Sequence, residues 1–455
     1  MTLRLIEGGR ANGDAPGLLI HGASQVATLA GGIRRGDAQG DLALLDAGAV
    51  GGPGAAEAPV VATWDGRVVA VGPRDQVEAG LERNGMPLAR FARLDADGGV
   101  VTPGLVDPHT HLLFAGTRER ELVLRRRGAG YLEILVGGGG ILSTVAATRQ
   151  ATEEELAAHG RRWLDEMLRH GVTSVEAKSG YGLDLGTELR MLAVAHALGK
   201  EGPVDVLPTF LGAHAVPPEY RARPDGTEAY VRSVIEDQFP GVAAQGRALS
   251  CDVFCERGVF TADQSRRILL AAAGYGMTVR LHADELAPSG GAELAAELGA
   301  VSADHLHTPS DEGLAALADA AAAGRPTVAT LLPGTTWFLM TDEPAPARRF
   351  IDAGVPVALG TDFNPGTSPN ANLPLVMTIA CLEMRLSPEE ALAAVTVNAA
   401  HAAGIGDQAG SLEPGKLGDV VIWRARTVGE LPYWVGADLV DVVVKRGRIV
   451  YRRAG

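Results

Sequence analysis

Gly104-Leu105-Val106-Asp107-Pro108-His109-Thr110-His111 reads as a short strand that ends in two histidines one residue apart. Successive side chains of a strand point to opposite faces, so His109 and His111 share a face, roughly 6.6 Å apart along the chain. Imidazoles in that relation can converge on one ion at bonds near ~2.1 Å. Such a pair has no partner on its own strand, so the other ligands have to come from elsewhere in the chain.

Outward from this stretch, apolar runs recur at 104–111, 172–178, 204–213, 250–256, 278–283, 300–306, 327–331 and 356–361. Helical segments lie between most of them. Thr152 with Glu155, Thr261 with Gln264, and Ser387 with Glu390 each fit a capping box, the last with Pro388 at the first helical position. The helix from about residue 153 carries Leu156, Trp163, Leu164, Met167 and Leu168 on one side, and Gly171 is placed to end it. Eight strand–helix units predict an α/β fold, a (β/α)8 TIM-like barrel over 102–400. A doubly wound sheet would show a glycine fingerprint in its first turn. Gly137-Gly138-Gly139-Gly140 matches neither GxGxxG nor a Walker loop and reads as a flexible loop at the active site.

The chain ends have a different rhythm. Two β-rich runs flank Asp65-Gly66 between Val60 and Gly72, a hairpin signal, and a second pair flanks residues 445–448. Isolated hairpins are marginal, which predicts that 1–101 and 401–455 pair into one small β-sandwich domain. Residues 31–58, rich in Gly, Ala and Asp without periodicity, read as a loop or flexible insertion.

Composition bounds the function. The 455 residues are 46% hydrophobic and 21% charged, as in ordinary globular proteins. That length suits about three domains or one large barrel with an appendage. No run approaches 18 apolar residues, and the opening MTLRLIEGGR lacks a signal-peptide stretch. Three cysteines cannot build a disulfide framework and suit a reducing cytosol, so a soluble cytoplasmic protein is expected. Cys251 and Cys255 have no companion pair at finger spacing, which argues against a structural zinc site there. The net charge of −14 argues against nucleic acid or an anionic membrane as partner, and any anionic substrate needs local basic groups.

Of eleven histidines, His159, His170 and His196 fall in helical segments, and His21, His307 and His401 read as structural. The other five sit at or near the C-terminal ends of barrel strands, where barrel active sites are built. His109 and His111 close the first strand, His214 the third, His282 the fifth and His305 the sixth; Asp362 closes the eighth. His109, His111, His282 and Asp362 form the candidate metal set, with nitrogen and oxygen donors that suit one divalent ion, zinc or iron(2+).

This constellation resembles the amidohydrolase superfamily, which places a first-strand HxH, a fifth-strand His and an eighth-strand Asp around a catalytic metal. The stretch from Leu412 to Val421 is similar to that superfamily's return into its small β domain. Two-metal relatives carboxylate a fourth-strand lysine; residues 251–256 contain none, which favours a single metal and leaves His305 to orient the attacking water. The wording around 109–118, 178–183, 210–217 and 361–367 is similar to that of members that open an imidazolone ring in histidine degradation. The resemblance implies 4-imidazolone-5-propanoate as substrate and N-formimidoyl-L-glutamate as product. It places Arg118, Tyr181, His214 and Glu285 against the substrate, with Asn364, Gly366 and Thr367 near substrate or product. Asp362, His305 and Glu285 are then the catalytic candidates.

Residue chemistry stands beside that implication. A guanidinium grips a carboxylate through two parallel hydrogen bonds, so Arg118 suits a propionate tail. Without the resemblance, Arg118 reads as a solvated charge, Tyr181 as a packed aromatic and His214 as a core histidine. Strict alternation sets Asp284, not Glu285, on the His282 face, so Glu285 can serve only if the strand ends or bends after its ligand. The expected partner is a small molecule with a carboxylate tail, with a homodimer left open. Two other readings remain: a deaminase of the same superfamily acting on a heterocyclic amidine, separated by the Arg118/Tyr181 pairing and by ammonia release, and a non-catalytic metal-stabilised binding barrel.

Overall fold

The computed structural model describes residues 15–128 and 139–454. The opening segment and the glycines at 137 and 138 lie outside the described residues. Eight parallel strands form one sheet in chain order: Leu105–Thr110, Val172–Lys178, Asp205–Ala213, Ser250–Cys255, Thr278–Ala283, Ser302–His305, Val328–Leu331 and Val357–Leu359. Each falls within a run that the apolar pattern marks. The sheet closes through little main chain. Asp362 N donates to His109 O at 3.0 Å and His111 N to Phe363 O at 2.9 Å. Asp107 completes the seam by accepting from Thr361 N at 3.0 Å and from Thr361 Oγ1 at 2.6 Å. The eighth strand is only three residues long, so side-chain bonds share the closing that ladder bonds do elsewhere.

The outer helices form where local signals put them. All three capping boxes are present, and each side chain satisfies an amide that the first helical turn leaves unpaired. The helix Glu153–Arg169 buries Leu156, Leu164, Met167 and Leu168 against the barrel, and Gly171 follows at φ +85°. Only a residue without Cβ turns there at no steric cost.

The chain ends build two sheets. One orders Arg67–Pro73, Pro59–Trp64, Gly17–His21 and Phe91–Asp95; the other orders Arg448–Arg452, Val440–Lys445, Val420–Trp423, Val100–Pro103, Gln25–Ala27 and Leu44–Asp46. The two termini meet where Val100–Pro103 runs antiparallel to Val420–Trp423. Leu18, Ile20, Val61, Leu94, Val101, Val420, Ile422 and Val444 fill the space between the sheets. Burying each such side chain contributes roughly 1.5–3 kcal/mol. Asp65-Gly66 and Arg446-Gly447 both take left-handed φ, as two-residue hairpin turns require. The two hairpins belong to different sheets, but their tips join: Gly418 N donates to Gly66 O, and Gly447 N to Gly418 O, both at 2.8 Å.

Residues 31–58 correct the expectation of a flexible insertion. Two 3-10 turns and the strand Leu44–Asp46 lie within the segment, and it is pinned to the barrel. Arg34 N donates to Asn398 Oδ1 at 2.7 Å, and the buried Gln39 exchanges hydrogen bonds with both main-chain groups of Val357. Hydrophobic periodicity is blind to a segment held by polar side chains on carbonyls, which is why the sequence pattern missed it. Among the described residues no helix is long and apolar enough to cross a membrane.

Candidate active site

The barrel's C-terminal rim gathers His109, His111, His282, His305 and Asp362, drawn from four strands, and buries all of them. Two backbone reversals aim the last of these groups, and a third turns the chain just after the fifth strand. Asp284 (φ +51°), His305 (φ +72°) and Asp362 (φ +49°) each adopt a left-handed conformation just where a strand ends. Non-glycine residues hold such angles at a cost of about 1–3 kcal/mol, tolerated when the surroundings fix them. At Asp284 the reversal settles the alternation problem. Its carboxylate accepts from Ser289 N, Gly291 N and Ala292 N at 2.7, 3.1 and 2.9 Å, capping the helix Gly291–Leu298. Glu285 thereby turns into the pocket, with Oε2 3.7 Å from His305 Nε2.

The ring atoms face a common centre. His282 Nε2 lies 3.3 Å from His111 Nε2. Asp362 Oδ1 lies 3.5 Å from His109 Nε2 and 3.6 Å from His111 Nε2. The opposite ring nitrogens are held: His109 Nδ1 donates to Asp304 Oδ2 at 2.6 Å, and His282 Nδ1 to Asp252 Oδ1 at 3.1 Å. Burial, with repulsion from Lys178 and the neighbouring rings, draws His109 well below the ordinary imidazole range; burial, with repulsion from His214, does the same for His111. Both rings are therefore neutral and offer lone pairs. Burial raises Asp362 to about 6, opposed by the Thr335 hydroxyl that donates to its Oδ2 at 2.7 Å. His109 Nε2 and Asp362 Oδ1 are buried without a hydrogen-bond partner. Orphaned polar atoms of this kind call for an occupant. Two overlapping triads, His109/His111/His282 and His109/His305/Asp362, have ligand atoms close enough for one cation. The donor set fits a divalent ion.

Below these rings the barrel interior is charged rather than aliphatic. Lys178, Glu176, Asp252, Arg280 and Asp304 are all buried there. Burial pulls the Lys178 ammonium down, but Asp252, Glu176 and Asp304 outweigh it and hold the group above the usual lysine range. Sequence reading singled out none of these five side chains. For one of them a signal was present: Arg280 stands two residues before His282 and so shares its inward face.

Above the rings, His111, Arg118, Tyr181, His214, Phe254, Glu285 and Thr367 line a pocket of about 90 Å³. It shares Ile141, His214, Phe254 and Leu286 with an outer cavity of about 750 Å³. His214 stacks on His111 with centroids 4.7 Å apart and planes 11° apart, and its Nδ1 donates to Gly180 O at 3.0 Å. Burial and the neighbouring His282 bring it down to about 3, so it is a neutral wall. The ring of Tyr181 lies 5.4 Å from His214 and 5.6 Å from His111. Burial pushes Glu285 up to about 8, with the Asp362 charge adding to the effect.

Arg118 is not a solvated charge. Its side chain is 8% exposed, and two of its nitrogens grip Glu121 at 2.9 and 2.8 Å. Asn364 lines the pocket, while its Oδ1 accepts from Gly366 N and Thr367 N, both at 2.8 Å, shaping the loop that faces Arg118. Gly366 is the tightest point of that loop. A Cβ there would stand 2.0 Å from Arg118 Nη1. Gly366→Ala is therefore expected to push the guanidinium aside and raise KM by about tenfold or more, with a smaller change in kcat, in steady-state kinetics.

Residues 100–450 match the model of the amidohydrolase family. The chain belongs to that family. It is 50% identical over 438 residues to the imidazolonepropionase of Geobacillus kaustophilus, covering 95% of this chain and 97% of the relative. It is likewise 50% identical over 434 residues to the imidazolonepropionase of Symbiobacterium thermophilum, with 95% and 97% covered. Within the amidohydrolases it is thus a member of the imidazolonepropionases, and a hydrolase. An adenosine deaminase from Xanthomonas campestris with bound zinc shares the fold, with a TM-score of 0.64 over 95% of this chain and 92% of that one. At 20% identity that likeness concerns architecture alone.

Proposed function

We propose that this enzyme hydrolyses the ring amide of 4-imidazolone-5-propanoate to N-formimidoyl-L-glutamate in histidine degradation. The observation that carries the reading is the meeting of His109, His111, His282 and Asp362 at the floor of a pocket whose wall holds Arg118. One divalent ion, zinc or iron(2+), held by those four side chains, would lower the pKa of water toward ~7 and polarise the reacting carbonyl. The Asp362 carboxylate takes the proton that the attacking water loses. His305, neutral and with Nε2 unpartnered, orients the nucleophile and steadies the oxyanion. Water oxygen bonds to the lactam carbon, the carbon–nitrogen bond breaks, and Glu285 supplies the proton that the departing ring nitrogen needs. Arg118 grips the propionate, His214 and Tyr181 wall the ring, and the loop Asn364 to Thr367 stands near the new carboxylate.

The three free cysteines agree with a cytoplasmic enzyme, and the net charge of −14 speaks against nucleic acid or anionic membrane as partner. The decisive experiment is incubation with 4-imidazolone-5-propanoate, following loss of the ring chromophore and appearance of formimidoylglutamate, with and without prior chelation. Turnover that chelation abolishes and zinc or iron restores supports the reading. Release of ammonia instead of ring opening would establish a deaminase, and no turnover by metal-loaded protein a binding barrel.

A further inference from the structure

Lys178 ends the second barrel strand, has no side-chain surface exposed, and takes no part in the chemistry above. Its Nζ lies 2.7 Å from Asp252 Oδ2, 3.1 Å from Glu176 Oε1 and 3.6 Å from Asp304 Oδ2. Glu176 has a second cation in Arg280, 3.7 Å away, whose Nη1 and Nη2 are tied to Pro108 O and Ala402 O. The two aspartates have no cation other than Lys178 within ion-pair distance among the described residues, apart from the histidines they hold. Asp252 Oδ1 accepts from His282 Nδ1 and from His282 N, both at 3.1 Å. Asp304 Oδ2 accepts from His109 Nδ1 at 2.6 Å. One ammonium therefore stands behind two ligands that come from different strands.

Asp252 on the fourth strand and Asp304 on the sixth, both buried, repel each other across the barrel interior, and an ammonium between them removes that repulsion where water cannot. Hydrogen bonds to the far nitrogen of a ligating histidine fix its tautomer and ring orientation. We propose that Lys178 is a positioning residue for the metal ligands: it holds Asp252 and Asp304 as a pair and through them presents His282 Nε2 and His109 Nε2 to the ion. It touches neither substrate nor metal. The inference rests on the metal reading above but is tested by metal binding rather than turnover.

The test uses full-length protein freed of metal and titrated with zinc by calorimetry and with cobalt(II) by its visible absorption. Lys178→Met and Lys178→Gln are expected to bind zinc roughly 10–100-fold more weakly and to shift the cobalt band, while Lys178→Arg, which keeps the charge, recovers part of the affinity. Folded Lys178→Gln with wild-type zinc affinity and an unchanged cobalt spectrum, whatever its melting temperature, overturns the proposal. Should Lys178→Met fail to fold, Lys178→Gln placed in an Asp252→Asn/Asp304→Asn background decides. The lysine change must then add little further loss, and full additivity overturns the assignment. Wild-type protein that binds no divalent ion overturns this proposal and the metal reading together. Equal binding by wild type and Lys178→Gln overturns this one alone.

Discussion

Asp362→Asn is expected to lower kcat by roughly 10²–10⁴-fold, the range for loss of a positioned proton acceptor. The substitution keeps an oxygen for the Thr335 hydroxyl, which donates to Oδ2 at 2.7 Å, so the eighth-strand turn should survive. It removes the charge from Oδ1, the atom that faces His109 Nε2 and His111 Nε2 without a hydrogen bond. Two losses then coincide: a metal donor and the group that receives the water's proton. Measuring kcat beside metal content separates them. If only the donor matters, turnover per bound metal stays near wild type; if the proton acceptor matters, it falls at full loading. Wild-type turnover in fully loaded Asp362→Asn would show that the assignment of Asp362 is wrong.

Glu285→Gln is expected to have the second-largest effect, a fall in kcat of about 10²–10³-fold with the fold intact. With a pKa raised to about 8 by burial and the nearby Asp362 charge, the carboxyl carries its proton near neutrality and can give it to a leaving nitrogen. Wild-type kcat should therefore decline on the alkaline side as that proton is lost, and the variant should show no such limb. The stability consequence has the opposite sign. The folded pKa of about 8 lies above the ordinary value of 4.5, so the folded form binds the proton more tightly than the unfolded chain. This contribution is complete below about pH 4.5. It is lost as the pH climbs toward 8, because the unfolded chain sheds its proton first. Glutamine escapes that loss. The side chain keeps 16% of its surface exposed, and solvent screening trims the gain. At pH 8 the metal-free variant should be more stable by on the order of a few kcal/mol, read as a higher melting temperature. Equal melting temperatures across pH 5–8 would rule out a buried, proton-bearing Glu285.

Relations between near neighbours in the chain were legible before any tertiary structure. The eight strands follow from apolar runs, the helix starts from Thr152, Thr261 and Ser387 with their partners three residues on, and the HxH pair from the two-residue strand period. Placing His282, His305 and Asp362 at strand ends was enough to predict that they meet, because a barrel brings all such ends to one rim. Which carboxylate faces the pocket at the fifth strand followed from the resemblance and was not legible in the strand period. Asp284 and Glu285 differ by one position, and the left-handed turn that exchanges their faces is held by the amides of Ser289, Gly291 and Ala292, far from the strand pattern.

The amino-acid sequence by itself therefore determined the architecture and the strand ends that carry the four candidate ligands, since strands, caps and turns depend on spacings of two to four residues. Tertiary structure alone decided the charged floor under the ligands, the Asp107–Thr361 seam and the pinning of residues 31–58. Those contacts join groups far apart in the chain, as His109 and Asp304 are by 195 positions. Pairing of buried charges is set by proximity in space and by the loss of solvent, neither of which leaves a periodic trace in the order of residues.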